Sequence, residues 1–125
     1  MAYVFVYGTL KRRDCRHHHM AGAHFCGQSL TAQGYRMYDL GSFPGLVESS
    51  AGGCIEGELY RVSDQTLGVL DVVEAVADQL FVRRPIRLQA PHADVPAEAY
   101  FYLGDVSHRR ELVRAWPVRG RLFRM

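Results

Sequence analysis

Lysine is nearly missing from this chain: Lys11 is the only one, and arginine carries almost all the positive charge. No function follows from that bias. Net charge is also scarce, only +2 over 125 residues, so no global field argues for a nucleic acid or a membrane surface as partner. The basic excess is local. Arg109, Arg110, Arg114, Arg119, Arg121 and Arg124 are faced only by Glu111 in the C-terminal stretch. It reads as a solvated basic face. An RNA-binding tail would interleave exposed aromatics, and only Trp116 and Phe123 are on offer. Cysteine is sparse and odd in number, at Cys15, Cys26 and Cys54, which argues against a secreted disulfide scaffold. No apolar run approaches the length of a bilayer span. Met1-Ala2-Tyr3 leads straight into a strand-like segment, with no h-region or cleavage site. The expectation is a soluble, cytoplasmic protein. An apolar fraction of 48% is enough to pack one domain over residues 1–125.

Aromatic and β-branched residues then supply the pattern. Tyr3-Val4-Phe5-Val6-Tyr7 is a continuous run that predicts a strand buried on both faces, ended by Gly8. Residues 16–23 suit a short helix. Residues 25–38 read as strand, turn and strand, and residues 39–45 as a turn-rich loop. Residues 54–62 alternate like a strand, and Ser63 with Asp64 can start a helix over 64–77. Residues 81–88 predict a strand that Pro85 places at an edge or bulge. Residues 97–103 alternate again, with Ala97, Ala99, Phe101 and Leu103 on one face and Glu98, Tyr100 and Tyr102 on the other. Ser107 can cap a last helix to about Trp116, stopped by Pro117. Many strands and few helices, without regular βαβ alternation, predict an α+β domain on a mixed, barrel-like sheet.

One helix carries an acid in an unexpected place. On a wheel of about 100° per residue, Leu67, Leu70, Val73 and Ala77 share a face, and Glu74 falls between Leu67 and Leu70. Asp64 and Asp71 fall at its edge, toward solvent. A carboxylate in apolar surroundings loses hydration and its pKa rises toward neutrality, as a general acid–base group requires. The alternative is structural: Glu74 reaches the rim, or pairs with Arg83 or Arg84. Periodicity alone leaves both open.

Three segments together resemble a known family. Tyr7-Gly8-Thr9-Leu10 matches the Tyr-Gly-Ser/Thr-Leu signature of the γ-glutamylcyclotransferase-like (AIG2-like) proteins. Leu70-Asp71-x-x-Glu74 matches that family's helix with its catalytic Glu. The stretch from Tyr35 to Val47, with Phe43-Pro44-Gly45-Leu46-Val47, is similar to its third characteristic segment. The resemblance implies a γ-glutamylcyclotransferase-like fold and conversion of a small γ-glutamyl amine or peptide to 5-oxoproline plus free amine. It implies Glu74 as general base and acid. Tyr7, Gly8, Thr9 and Leu10 become the substrate cradle, through backbone N–H groups aimed at an anion. Tyr100 and Tyr102 share a strand face and could line the pocket, although aromatic residues on a strand are more often core; Tyr102 is kept as the further candidate. No metal or other cofactor is implied, and the oligomeric state is not fixed. Ala75, Phe81 and Asp14-Cys15-Arg16-His17 stand where the family often has Gly, Tyr and an Asn.

Two sharper ideas have less support. Cys15, His17, His18, His19, His24 and Cys26 resemble a metal cluster, but their spacing fits no structural zinc pattern. A Cys–His nucleophile pair is weighed against the commonness of buried thiols. The rival to the enzyme is a non-catalytic module of the same fold that binds a small metabolite.

Overall fold

The computed structural model describes residues 1–116. The run at the N-terminus forms β1 (Ala2–Val6), and a short 3₁₀ turn follows at His17–Met20. Next come β2 (His24–Leu30), β3 (Tyr35–Asp39), β4 (Pro44–Glu48) and β5 (Glu56–Val62). The helix α1 covers Asp64–Val73, followed by β6 (Phe81–Pro85), β7 (Ala97–Tyr102) and β8 (Glu111–Leu112). The eight strands make one mixed sheet in the order β2-β5-β1-β7-β4-β3-β8, with β6 on the far side of β7, and it curls into a half-barrel. The mixed-sheet α+β expectation therefore holds, with one α-helix rather than several among the described residues.

β1 is covered on both faces, as its unbroken apolar run requires. Phe5 packs with Met37, Leu46, Leu59, Phe101 and Trp116 on one side. Val4 and Val6 pack with Met20, Tyr60, Leu70, Phe81 and Tyr100 on the other, the side covered by α1. β7 obeys the predicted alternation: Ala97, Ala99 and Phe101 join the first cluster, Tyr100 the second. Pro85 ends β6 and pairs with Glu98 of β7; among the described residues β6 pairs only β7, so it is an edge strand there.

Three expectations need correction. The loop at 39–45 instead yields to β4 from Pro44 onward, because residues 44–48 find β3 on one side and Phe101 of β7 on the other. The helix expected at 107–116 does not form. Ser107 donates through its hydroxyl to Asp105 at 3.0 Å and through its N–H at 2.9 Å. Its capping chemistry is thus spent on a local turn, and Glu111–Leu112 extends the sheet against Met37 and Tyr38. Pro117, Arg119, Arg121, Phe123 and Arg124 lie outside the described residues; Trp116 is buried, not an exposed aromatic. The helix expected to reach Ala77 ends at Val73. Among the described residues no helix is long and apolar enough to cross a membrane.

The early end of α1 has a specific cause. Ala75 sits at φ 53°, in the left-handed region. Val76 N–H donates to Asp71 O at 3.0 Å and Ala75 N–H to Val72 O at 3.0 Å. This is the Schellman arrangement, with Ala75 at the position where glycine is usual. Glu74 becomes the C-cap residue of the helix.

Candidate active site

The site lies where the sheet forks. β1 runs parallel to β7 through Tyr3↔Ala97 and Val4↔Glu98. β4 takes over the same edge of β7 at Leu46↔Phe101. Between the two junctions the backbone of β7 has no strand neighbour on that edge, so Tyr100 O and Leu46 N–H need other partners. Tyr7 supplies both. Its hydroxyl donates to Tyr100 O at 2.6 Å and accepts from Leu46 N–H at 3.2 Å. The Tyr7 side chain thus ties the fork together. Burial, with Glu74 adding to it, holds its hydroxyl well above the ordinary phenol pKa.

A narrow recess opens in the fork. Its walls are residues 5–10, Phe43, Pro44, Glu74 and Tyr100. The chain makes one close turn at its floor: a Cβ on Gly8 would lie 2.7 Å from Pro44 Cγ. Gly8 is therefore demanded by Pro44, not only by a ligand's approach.

The loop after β1 uses up its carbonyls and leaves its amides. Gly8 O accepts from Lys11 N–H at 3.0 Å and Thr9 O from Arg16 N–H at 2.9 Å. Leu10 O lies 2.9 Å from His17 Nδ1. Among the described residues, the N–H groups of Gly8, Thr9 and Leu10 have no protein acceptor. Such a row of amides with no carbonyl to serve is suited to an anion.

Glu74 faces these amides across the recess without a partner of its own. Its carboxylate makes no hydrogen bond or ion pair among the described residues. The competitors named by the sequence are engaged elsewhere. Arg83 grips Asp71 at 3.0 Å and Glu98 at 2.7 Å, and Arg84 lies 3.9 Å from Glu48. Asp71, expected toward solvent, is half-buried and also accepts from Tyr100 OH at 2.5 Å. Burial pushes the Glu74 carboxyl up from 4.5 to about 7, with the Arg16 charge pulling slightly the other way. The negative end of α1 beneath it disfavours the carboxylate further.

Tyr7, Gly8, Thr9, Leu10 and Glu74 thus meet at one recess. Tyr102 does not join them. Its ring packs on Phe81 at 5.4 Å, one pleat beyond the fork, and Tyr100 holds the pocket position. Phe43 and Pro44 are wall residues that sequence reasoning did not assign to the site, and Tyr100 is the one of the two tyrosines that it passed over. The face shared by Tyr100 and Tyr102 was the available signal, but choosing between them needs the register of β7.

The histidine run does not converge on one point. The His18 and His19 rings lie 4.0 Å apart, tilted by 40°, His17 turns to Leu10, and no group of three or more His, Cys, Asp or Glu able to hold a metal forms among the described residues. Cys15 has its thiol pKa raised by burial and by Asp14, the wrong direction for a nucleophile.

Comparison with known proteins fits this architecture. The family model "Gamma-glutamyl cyclotransferase, AIG2-like" matches residues 4–117. A Vibrio cholerae protein named "Putative gamma-glutamylcyclotransferase" is 35% identical over 107 residues, covering 85% of this chain and 84% of its own. The rat protein named "Gamma-glutamylaminecyclotransferase" is 37% identical over 82 residues, covering 59% of this chain and 55% of its own. The crystal structure of an AIG2-like protein from Mus musculus superposes with a TM-score of 0.75 at 29% identity, over 86% of this chain and 81% of that one. The match runs through the forked strand, the amide loop and the end of α1 alike, and the chain belongs to the AIG2-like γ-glutamyl cyclotransferase family of enzymes.

Proposed function

We propose that this single domain, residues 1–125, releases 5-oxoproline and a free amine from a small γ-glutamyl amine or peptide, with Glu74 as general base and then general acid. The observation that carries the reading is the unpaired Glu74 carboxyl, raised to about 7, lining the same recess as the acceptor-free amides of residues 8–10. The activity named for the rat relative points the same way.

The chemistry asks little beyond positioning. The α-amino nitrogen of the glutamyl unit attacks its own γ-carbonyl carbon. A new C–N bond closes the five-membered ring, and the bond to the departing amine breaks. Glu74 takes one proton from the attacking nitrogen and returns one to the departing nitrogen, so a single carboxyl serves both transfers and no cofactor is invoked. A pKa near 7 is matched to that double duty. The nucleophile is tethered, so holding the substrate bent is worth much of the barrier. The amides of residues 8–10 grip the α-carboxylate of the head group. The recess is narrow, with room for roughly one water between its walls. A glutamyl head group is larger, so the Phe43–Pro44 wall must yield as it enters. The setting proposed is cytoplasmic.

The test is 5-oxoproline release from a panel of γ-glutamyl compounds by the wild type and by Glu74→Gln. The variant should lose roughly 10²–10⁴ in rate. Retention within about tenfold would contradict the assignment, and binding without turnover by the wild type would favour a metabolite-binding module instead.

A further inference from the structure

Among the described residues, Arg16 is the one charged side chain whose field acts on Glu74. Its guanidinium carbon lies 5.3 Å from the centroid of Phe43, and that ring forms a wall of the recess. Its backbone N–H is bonded to Thr9 O at 2.9 Å, so the residue is anchored on the cradle loop itself. The residue is half-buried. It pairs with no carboxylate among the described residues, whereas Arg12 is held by Glu58, Arg83 by Asp71 and Glu98, and Arg110 by Asp39. An arginine held over an aromatic wall with no carboxylate partner keeps its planar fork of donors free for one.

The order of groups along a bound substrate says what Arg16 would meet. The α-carboxylate takes the amides of residues 8–10. Glu74 must reach both the attacking and the departing nitrogen. On that reading the departing amine is the end of the substrate turned toward Phe43, beside the Arg16 guanidinium. When Glu74 holds its proton, Arg16 is an uncompensated positive charge at that end.

We propose that Arg16 is a specificity-determining residue that reads the charge of the departing amine. It favours γ-glutamyl compounds whose amine carries a carboxylate beside the scissile bond and disfavours those whose amine carries a second cationic group. The inference rests on the cyclotransferase reading above. A carboxylate placed there gains a charge-assisted, two-pronged contact; a second ammonium meets repulsion.

The test compares kcat/KM on three substrates: a γ-glutamyl amino acid, a neutral γ-glutamyl alkylamide and a γ-glutamyl diamine. The wild type should rank them in that order. Arg16→Gln should lower the ratio of acidic to neutral substrate by about tenfold, the worth of one charged hydrogen-bonded contact. Arg16→Lys should restore part of that ratio, and Arg16→Glu should favour the diamine. Any effect of Arg16 on the Glu74 proton acts on all three substrates and cancels in the ratio. Equal losses on the three, or an unchanged ranking in Arg16→Glu, would overturn the inference while leaving the cyclotransferase reading intact. Failure of the wild type to release 5-oxoproline from any of the three would overturn both.

Discussion

Asp71 and Glu74 stand one turn apart at the end of the same helix, and both turn toward β7. Asp71 accepts from Arg83 at 3.0 and 3.2 Å and from Tyr100 OH at 2.5 Å, and Arg83 continues the chain of charge to Glu98. Glu74 has none of this. It is about as buried, yet among the described residues the one positive charge acting on it is Arg16, which forms no ion pair with it. The first acid is a tie that joins α1 to β6 and β7. The second is left undersolvated, which is costly in stability and useful only if a proton must move. An acid in a dry place is informative about chemistry when its partners are missing, not merely when it is buried.

That contrast breaks most visibly in rate. Glu74→Gln should cost roughly 10²–10⁴ in turnover with the fold intact, read as 5-oxoproline release. Asp71→Asn should do the opposite. It leaves Arg83 and Tyr100 short of an anion and should lower unfolding stability by about 1–3 kcal/mol, read in denaturant melts, with activity reduced far less than in Glu74→Gln. A comparable loss of turnover in both variants would erase the distinction.

The pH dependence of stability sharpens it. The folded protein holds the Glu74 proton more tightly than the unfolded chain, 7 against 4.5. Glu74 therefore contributes stability that is fully present below about pH 4.5 and lost as pH rises through about 7. Glu74→Gln lacks that loss. Relative to wild type it should gain about 1–3 kcal/mol between pH 5 and pH 8, seen as diverging Tm curves. Parallel curves would contradict the raised carboxyl. The smallest effect concerns the cap beside it. Ala75→Gly relieves a left-handed alanine but adds freedom to the unfolded chain, so the net should lie between zero and about +1 kcal/mol. A loss of stability would mean that the cap geometry is not as described.

Why the sequence was readable in some places follows from the same residues. β1 announced itself because five consecutive apolar residues have no polar face to show, and both of its faces are buried. Glu74 was legible because it interrupts an apolar stripe. The end of α1 was not, since Ala75 is a good helix former and only the contacts around the C-cap force it left-handed. Ser107 looked like a cap because its hydroxyl seeks an acceptor or donor locally; Asp105, two residues away, satisfied it first. Pro44-Gly45 looked like a turn, and became strand because β3 and β7 both offered edges. The fork itself was invisible, as it depends on which strand abandons β7 and which arrives.

Direct titration of Glu74 is the shortest route to the central claim. Carboxyl-carbon NMR on protein labelled at glutamate, assigned by the signal that vanishes in Glu74→Gln, reads its protonation against pH. The account predicts a midpoint near 7, rising further in Arg16→Gln as the opposing positive charge is removed. A midpoint close to 4.5, the value of an ordinary solvated glutamate, would contradict it.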